Sequence, residues 1–163
     1  MLAIISDIHS NTEALQAVLA DMESHGAEQV VCLGDFVGYG AFPEPTVCLL
    51  REACGRSVLG NYDRKVLRFP RKAAEWQNRK TPAKFLAFQW AYEHLSPDSR
   101  RYLRSLPQQM RFTVGRCRVL LTHAGGASAS TASRAGRFAW TSAISAAFIP
   151  STVRWARSGE ACP

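Results

Sequence analysis

The sequence predicts a mixed α/β domain, and three features of its 163 residues lead to that prediction. Residues 1–60 alternate short apolar runs with helical patterns, which is typical of parallel β-α-β units. Residues 81–107 carry apolar side chains at helical spacing, and residues 109–121 alternate as the two strands of a β-hairpin do. Apolar residues make up 47% of the chain and charged residues 20%, so we expect one domain with a buried core.

Two strand–loop–helix units open the chain. The first has an apolar strand at residues 2–5, and the sequence Ser10-Asn11-Thr12-Glu13 predicts a capping box with Ser10 as the N-cap of a helix. The second has a strand at residues 30–33 and a helix that begins at Pro45. A third strand at residues 57–59 ends at Gly60. Such a repeat predicts strands that lie parallel in one sheet.

The middle of the chain is predicted to be helical. Thr81 and Pro82 suit the N-cap and first position of a helix. One face of that helix carries Phe85, Phe88, Tyr92 and Leu95. Ser96 and Pro97 begin a further short helix, and the hairpin that follows it delivers His123 at the end of its second strand.

The composition of the chain excludes several classes of protein. No apolar run approaches the roughly 20 residues that span a bilayer, and residues 1–5 suit a first strand better than a secretory leader. We therefore expect a cytoplasmic protein with no membrane partner. Five cysteines without a C-x-x-C pair do not suit a zinc knuckle or a disulfide framework. The formal net charge of +7 predicts an anionic partner.

Much of the positive charge lies in residues 64–84, around Trp76. Its basic members are Arg64, Lys65, Arg68, Arg71, Lys72, Arg79, Lys80 and Lys84. Basic residues beside an aromatic side chain can bind single-stranded nucleic acid. A solvated helix face and a lid that attracts phosphates are the alternative interpretations.

Polar side chains follow each predicted strand. They are Asp7 and His9, then Asp35, then Asn61, and last His123. The carboxyl ends of parallel strands line a common crevice, so these side chains are expected to converge. Glycines precede Asp35 and Asn61, where the backbone must turn tightly. Carboxylate, amide and imidazole ligands together suit manganese, iron or zinc.

These residues resemble the motifs of the calcineurin-like metallophosphoesterases, whose pattern is D-x-H, G-D-x-x-x-x-G, G-N-H-D and a later histidine. The matching segments are Asp7-Ile8-His9, Gly34–Gly40, Gly60-Asn61-Tyr62-Asp63 and Leu120-Leu121-Thr122-His123. The resemblance covers residues 1–124, and it is strongest to the bacterial serine/threonine phosphatase-like and diadenosine tetraphosphatase-like branch. It implies a β-sandwich of two mixed sheets flanked by helices.

The resemblance also implies a hydrolase that uses two divalent metal ions, of manganese, iron, zinc or nickel. Asp7 and His9 would hold the first ion, Asp35 would bridge both, and Asn61 and His123 would hold the second. Asp35, Asn61 and Asp63 would be the catalytic residues. The implied reaction is hydrolysis of a phosphomonoester, a phosphodiester or a nucleotide, and the substrate would be a phosphorylated small molecule, a nucleotide or a phosphoprotein.

The sequence departs from the family pattern in two places. Tyr62 stands where the motif has histidine, and a phenol is a poorer proton donor at pH 7 than an imidazole. No histidine follows His123, so the final G-H-x-H motif has no counterpart, and by the resemblance each ion would lack one nitrogen ligand. His25 and His94 are interpreted as structural.

We interpret residues 1–124 as the N-terminal part of a metallophosphoesterase core. Residues 125–163 form an atypical tail rich in Ala, Ser and Arg. We expect that tail to be disordered or to be encoded in a shifted reading frame, and we expect the sandwich to be incomplete at its C-terminal end. The alternative to an enzyme is a scaffold without catalysis, or a module that binds anions or nucleic acid.

Overall fold

The structure is a computed structural model, and it describes residues 2–114 and 117–123. Its elements in chain order are β1 (Leu2–Ile5), α1 (Thr12–Ser24), β2 (Gln29–Cys32), α2 (Pro43–Ala53), β3 (Arg56–Ser57), α3 (Asn61–Arg79), α4 (Pro82–Glu93), α5 (Pro97–Ser105), β4 (Gln109–Val114) and β5 (Cys117–Thr122).

The described strands form two sheets. Strands β1, β2 and β3 pair in parallel in that order, and β4 pairs with β5 as an antiparallel hairpin. In the parallel sheet Ile5 pairs with Cys32, and Cys32 pairs with Ser57. The carboxyl ends of the three strands are therefore level with one another. The loops that follow them begin at one edge of the sheet.

The alternating side chains of the parallel sheet contribute to two separate cores. On one face Leu2, Val31 and Val58 pack with Leu121 of the hairpin, so the two sheets lie face to face. The opposite face is covered by the helices, and its centre includes Ala3, Cys32, Phe36, Val47, Leu50 and Phe88. A sandwich with helices on one side follows, which confirms the predicted α/β fold class.

Helix α1 begins later than the sequence suggests. Its N-cap is Asn11, whose side chain accepts a hydrogen bond from the backbone N–H of Ala14. The predicted N-cap, Ser10, has a positive φ and donates its backbone N–H to Phe36 O. Ser10 is therefore part of the loop that joins β1 to the site, and the predicted capping box is wrong.

Further boundaries differ from the predicted ones. Helix α2 starts at Pro43 rather than Pro45, β2 covers Gln29–Cys32 rather than residues 30–33, and β3 is limited to Arg56–Ser57. The predicted caps of α4 and α5, Thr81 and Ser96, are confirmed.

Helix α3 carries the predicted basic segment and contains a proline, Pro70. Tyr62 near its start and Trp76 near its end both contact the ring of Phe88, at centroid distances of 5.4 Å. Both ends of α3 therefore pack against the same aromatic ring of α4. Pro70, in the interior of α3, removes one backbone hydrogen bond of the helix.

Among the helices that the structure describes, none combines the length and the apolar character needed to cross a bilayer. The atypical tail predicted at residues 125–163 lies outside the described residues.

Candidate metal centre

The candidate site lies where the three parallel strands end. The backbone links the loops directly: Asp7 N–H donates to Gly34 O at 3.1 Å, and His9 N–H donates to Asp35 O at 2.9 Å. Asp7, His9, Ser10 and Asp35 all have φ between 51° and 62°, a left-handed conformation that costs about 1–3 kcal/mol for residues other than glycine. Such strain is concentrated at functional sites.

Two carboxylates and two imidazoles converge in this site. One ligand atom each from Asp7, Asp35 and His123 lies within 4.8 Å of the other two. The Nε2 atom of His123 is 3.2 Å from Oδ2 of Asp35. The Nε2 atom of His9 is 3.8 Å from the same oxygen and 3.9 Å from Oδ1 of Asp7. This spacing suits a divalent cation held between these side chains.

Each imidazole is oriented through its second nitrogen. Nδ1 of His123 lies 2.9 Å from Leu33 O, and Nδ1 of His9 lies 3.3 Å from Val37 O. An Nδ1–H group that donates to a backbone carbonyl leaves Nε2 with a free lone pair, as is typical of histidines that bind metals. Both Nε2 atoms point to the carboxylates, so the residues present fit a metal ion.

Asn61, the first residue of α3, lies beside His123. Its Nδ2 atom is 3.1 Å from His123 Nε2, and its Oδ1 atom accepts a hydrogen bond from Lys65 Nζ at 3.1 Å. A cation would bind the amide oxygen rather than the amide nitrogen. Asn61 can therefore act as a ligand once its side-chain amide is flipped by about 180°, which exchanges Oδ1 and Nδ2. The structure thus brings all five predicted metal ligands together, with Asn61 in a different amide orientation.

Asp35 is the central carboxylate, and its side chain is only 2% exposed. Its Oδ1 atom accepts a hydrogen bond from the backbone N–H of Tyr62 at 2.7 Å, while Oδ2 faces His9 and His123. Gly60 lies directly against it, and a Cβ atom at Gly60 would collide with the backbone nitrogen and Oδ1 of Asp35. The glycine before Asn61 is needed for this close approach.

Asp63 lies in the layer beneath the ligands rather than among them. Its carboxylate accepts hydrogen bonds from the backbone N–H groups of Asp35, Val37 and Gly60 at 3.0, 3.1 and 2.9 Å. These bonds join the loop after β2 to the start of α3. In this structure Asp63 positions the loop that carries Asp35, and its predicted catalytic role stays a prediction.

The pKa values of Asp63 and His123 are both shifted from their usual values. Burial raises the pKa of the Asp63 carboxyl to about 7, with a further contribution from the charge of Asp35, and the three N–H donors oppose this rise. Burial lowers the pKa of the His123 imidazole, but its hydrogen bond and charge interaction with Asp35 outweigh burial and raise the pKa overall. A cation bound at Nε2 would replace the proton that Asp35 favours there.

Two residues at the site, Tyr39 and Lys65, were not predicted from the sequence. Tyr39 and Tyr62 hold the ring of His9 between them, with centroid distances of 5.3 and 4.9 Å, and their hydroxyl groups are hydrogen bonded to each other. Lys65 lies with Nζ 4.3 Å from the Tyr62 ring centroid. The spacing of Lys65 four residues after Asn61 could have indicated it, because such residues are neighbours on a helix. No sequence signal indicates Tyr39.

A parallel sheet whose loops gather carboxylates and imidazoles, packed on a second sheet, defines a phosphoesterase-fold domain with a candidate metal site. A family model described as the calcineurin-like phosphoesterase superfamily domain matches residues 1–144 of this chain. The protein belongs to the calcineurin-like phosphoesterase superfamily.

The chain is also similar to individual proteins. The chain is 38% identical to the uncharacterized protein MJ0912 of Methanocaldococcus jannaschii over 124 residues, which are 76% of this chain and 49% of that protein. It is 34% identical to a metallophosphoesterase from Sphaerobacter thermophilus, with a TM-score of 0.53 over 67% of this chain and 42% of that structure. The hypothetical protein PH1004 from Pyrococcus horikoshii OT3 shares the fold, with 21% identity and a TM-score of 0.62 over 74% of this chain and 54% of that one. The chain thus spans about half the length of these relatives.

Proposed function

We propose that this domain is a metal-dependent phosphoesterase that uses a dinuclear metal centre. The observation that carries the proposal is the convergence of Asp7, Asp35 and His123, whose ligand atoms lie within 4.8 Å of one another at the strand ends. Membership of the calcineurin-like phosphoesterase superfamily supports it.

The ligands divide into two sets. Asp7 and His9 would hold one cation, Asn61 and His123 the other, and the central carboxylate of Asp35 would serve both. Divalent cations supply positive charge for the phosphoryl oxygens and lower the pKa of a nucleophilic water. Manganese, iron, zinc and nickel are all compatible with carboxylate, amide and imidazole ligands.

The chain's own residues orient these ligands and hold the substrate. The Tyr62 N–H and the close packing of Gly60 fix the Asp35 carboxylate. Backbone carbonyls fix the tautomer of each histidine. The ammonium group of Lys65, at the edge of the cluster, can interact with phosphoryl oxygens. The substrate is thereby proposed to be a phosphate ester of a small molecule, a nucleotide or a phosphoprotein.

Hydrolysis of an aryl phosphate tests the proposal. The full 163-residue chain is prepared free of metal, loaded with manganese, and assayed with 4-nitrophenyl phosphate beside Asp35→Asn. Asp21→Asn is the matched control, because it makes the same chemical change at an exposed carboxylate of α1. We expect turnover that depends on manganese, is lost in Asp35→Asn and is kept in Asp21→Asn. Equal rates in all three proteins would overturn the proposal.

A scaffold without catalysis is the second candidate. Tyr62 replaces the histidine of the family motif, and a phenol is a poorer proton donor at pH 7 than an imidazole. Binding of manganese in the wild type and its loss in Asp35→Asn, without turnover in either protein, would favour the scaffold.

A further inference from the structure

A cavity of about 210 Å³ lies next to the candidate metal site. Its lining includes His9, whose Nε2 atom faces the carboxylates of Asp7 and Asp35. His9 therefore belongs both to the cavity and to the metal site. Protein cavities of roughly 150 Å³ hold a benzene molecule, so this cavity has room for a compact organic group. A molecule bound at the metal site can extend such a group into it.

Two exposed aromatic side chains line the cavity. Tyr39 and Phe42 are each 46% exposed, although both rings are large and mostly apolar. The Tyr39 hydroxyl group is hydrogen bonded to that of Tyr62, and its ring packs edge-on against His9 at a centroid distance of 5.3 Å. Exposed aromatic side chains that line one cavity are typical of a site for a small molecule.

Hydrogen bonds fix the loop that carries these aromatic side chains. The backbone N–H of Phe42 donates to Ser10 O at 3.3 Å, which ties the loop to the segment after β1. From the other side, Nε1 of Trp90 in α4 donates to Ala41 O at 3.0 Å. The cavity wall is therefore formed before a ligand binds, which reduces the entropy cost of binding.

The cavity also contains a carboxylate. Glu13, in the first turn of α1, lines it and is exposed. Within residues 2–114 and 117–123, no lysine, arginine or histidine pairs with that carboxylate at 4.0 Å or less. Among the same residues, neither lysine nor arginine is part of the cavity lining. The negative charge of Glu13 is therefore available to a ligand.

Aromatic rings beside a carboxylate suit an organic cation. The face of an aromatic ring attracts an ammonium group, and aromatic cages recognise quaternary ammonium ligands. The carboxylate of Glu13 adds the opposite charge. An anionic group in the cavity would be repelled by Glu13, and a neutral ring would leave this carboxylate without a partner. The composition of the lining therefore favours a cation over both alternatives.

We propose that Glu13, Tyr39 and Phe42 form a subsite for the ammonium group of a small substrate, which makes the phosphate ester of an amino alcohol the substrate class. The inference rests on the proposed function, since the phosphate group would lie at the metal site. Because His9 is shared by the cavity and the metal site, the ammonium and phosphate groups lie close together. The short carbon chain of an amino alcohol meets this requirement.

Calorimetric titration of the metal-free 163-residue chain with choline tests the subsite without phosphate or metal. The neutral alcohol 3,3-dimethylbutan-1-ol is the second probe, because it has the shape of choline without the charge. Glu13→Gln and Phe42→Leu are the variants, and Glu23→Gln, at an exposed residue of the same helix, is the matched control. We expect each variant to bind choline about tenfold more weakly than the wild type, a loss of about 1.4 kcal/mol. The control should bind choline as the wild type does, and the neutral alcohol should bind about tenfold more weakly than choline.

Several results would overturn the subsite. They are the absence of choline binding in the wild type, equal affinity in Glu13→Gln and the wild type, and an equal loss in Glu23→Gln. Binding of the neutral alcohol as tight as that of choline would show an apolar cavity without preference for a cation. Choline binding that is lost in Asp35→Asn and kept in Glu13→Gln would place the ammonium group at the metal site instead. Failure of the chain to hydrolyse an aryl phosphate would leave the choline result unchanged, so the two proposals fail separately.

Discussion

The Nε2 atom of His123 lies 3.2 Å from Oδ2 of Asp35, which joins the end of the hairpin to the loop of the parallel sheet. Nδ1 of the same imidazole is held by Leu33 O, two residues before Asp35. The second sheet therefore contributes an imidazole to a candidate metal site that the first sheet builds. We predict that sandwich packing and metal binding are coupled through this one side chain.

Replacement of His123 by alanine tests that coupling. His123→Ala removes one nitrogen ligand, and we expect the affinity for manganese to fall at least about 10–100-fold. His94→Ala is the control, because His94 is exposed at the end of α4, where its Nδ1 lies 2.9 Å from Trp90 O and its ring stacks on that of Trp90. The measurement is calorimetric titration with manganese. Equal affinities in the two variants would show that His123 is not a ligand.

Gly60 is predicted to accept no side chain. A Cβ atom there would collide with Asp35, whereas a Cβ atom at the exposed Gly55 meets nothing within 4 Å. We expect Gly60→Ala to lower the free energy of unfolding by about 1–3 kcal/mol and to weaken manganese binding, with Gly55→Ala close to the wild type. Urea unfolding followed by circular dichroism gives the first quantity. Similar midpoints in both variants would contradict the packing described around Asp35.

Asp63 is predicted to stabilise the loop that carries Asp35. In Asp63→Asn an amide nitrogen replaces one acceptor oxygen, so at least one backbone N–H loses its partner. We expect a loss of about 2 kcal/mol in the free energy of unfolding at pH 6, below the raised pKa of about 7, where the buried carboxyl of the wild type carries its proton and the comparison with the amide involves no buried charge. Asp21→Asn, at an exposed site, should change it by less than about 0.5 kcal/mol. An unchanged urea midpoint in Asp63→Asn would argue against this anchoring role.

Glu44 is predicted to make stability depend on acid pH. Its carboxylate accepts hydrogen bonds from Ser96 N–H and Ser99 Oγ, so it joins α2 to the start of α5. Burial raises the pKa of Glu44, but these hydrogen bonds outweigh burial and lower it below the usual 4.5. The stabilisation is therefore complete above that value and is lost as the pH falls below it.

Glu44→Gln should accordingly be less stable than the wild type at pH 7, and the difference should shrink as the pH falls below 4.5. Glu52→Gln, at an exposed residue of the same helix, is the control and should show no such trend. Urea midpoints across this pH range measure both. A difference between Glu44→Gln and the wild type that stays constant with pH would contradict the assigned role of Glu44.

Much of this architecture could be predicted because strand ends are visible in a sequence. Apolar runs followed by Asp7, Asp35 and Asn61 predict loops at one sheet edge, and parallel pairing then brings them together. Predictions from the local sequence failed where tertiary contacts determine the backbone conformation. Ser10 is a residue type that suits an N-cap, yet its backbone N–H donates to Phe36 O in the loop after β2, so it lies outside the helix. Similarly, no pattern in the sequence indicates that Tyr62 and Trp76, at opposite ends of α3, both contact Phe88.

Asp35 is proposed to serve both halves of a dinuclear site. Equilibrium dialysis against manganese, with the metal counted per chain, tests this role most directly. We predict saturable binding that approaches two ions per chain in the wild type, and loss of both ions in Asp35→Asn. An Asp35→Asn variant that binds as much manganese as the wild type, with the same affinity, would contradict this role of Asp35.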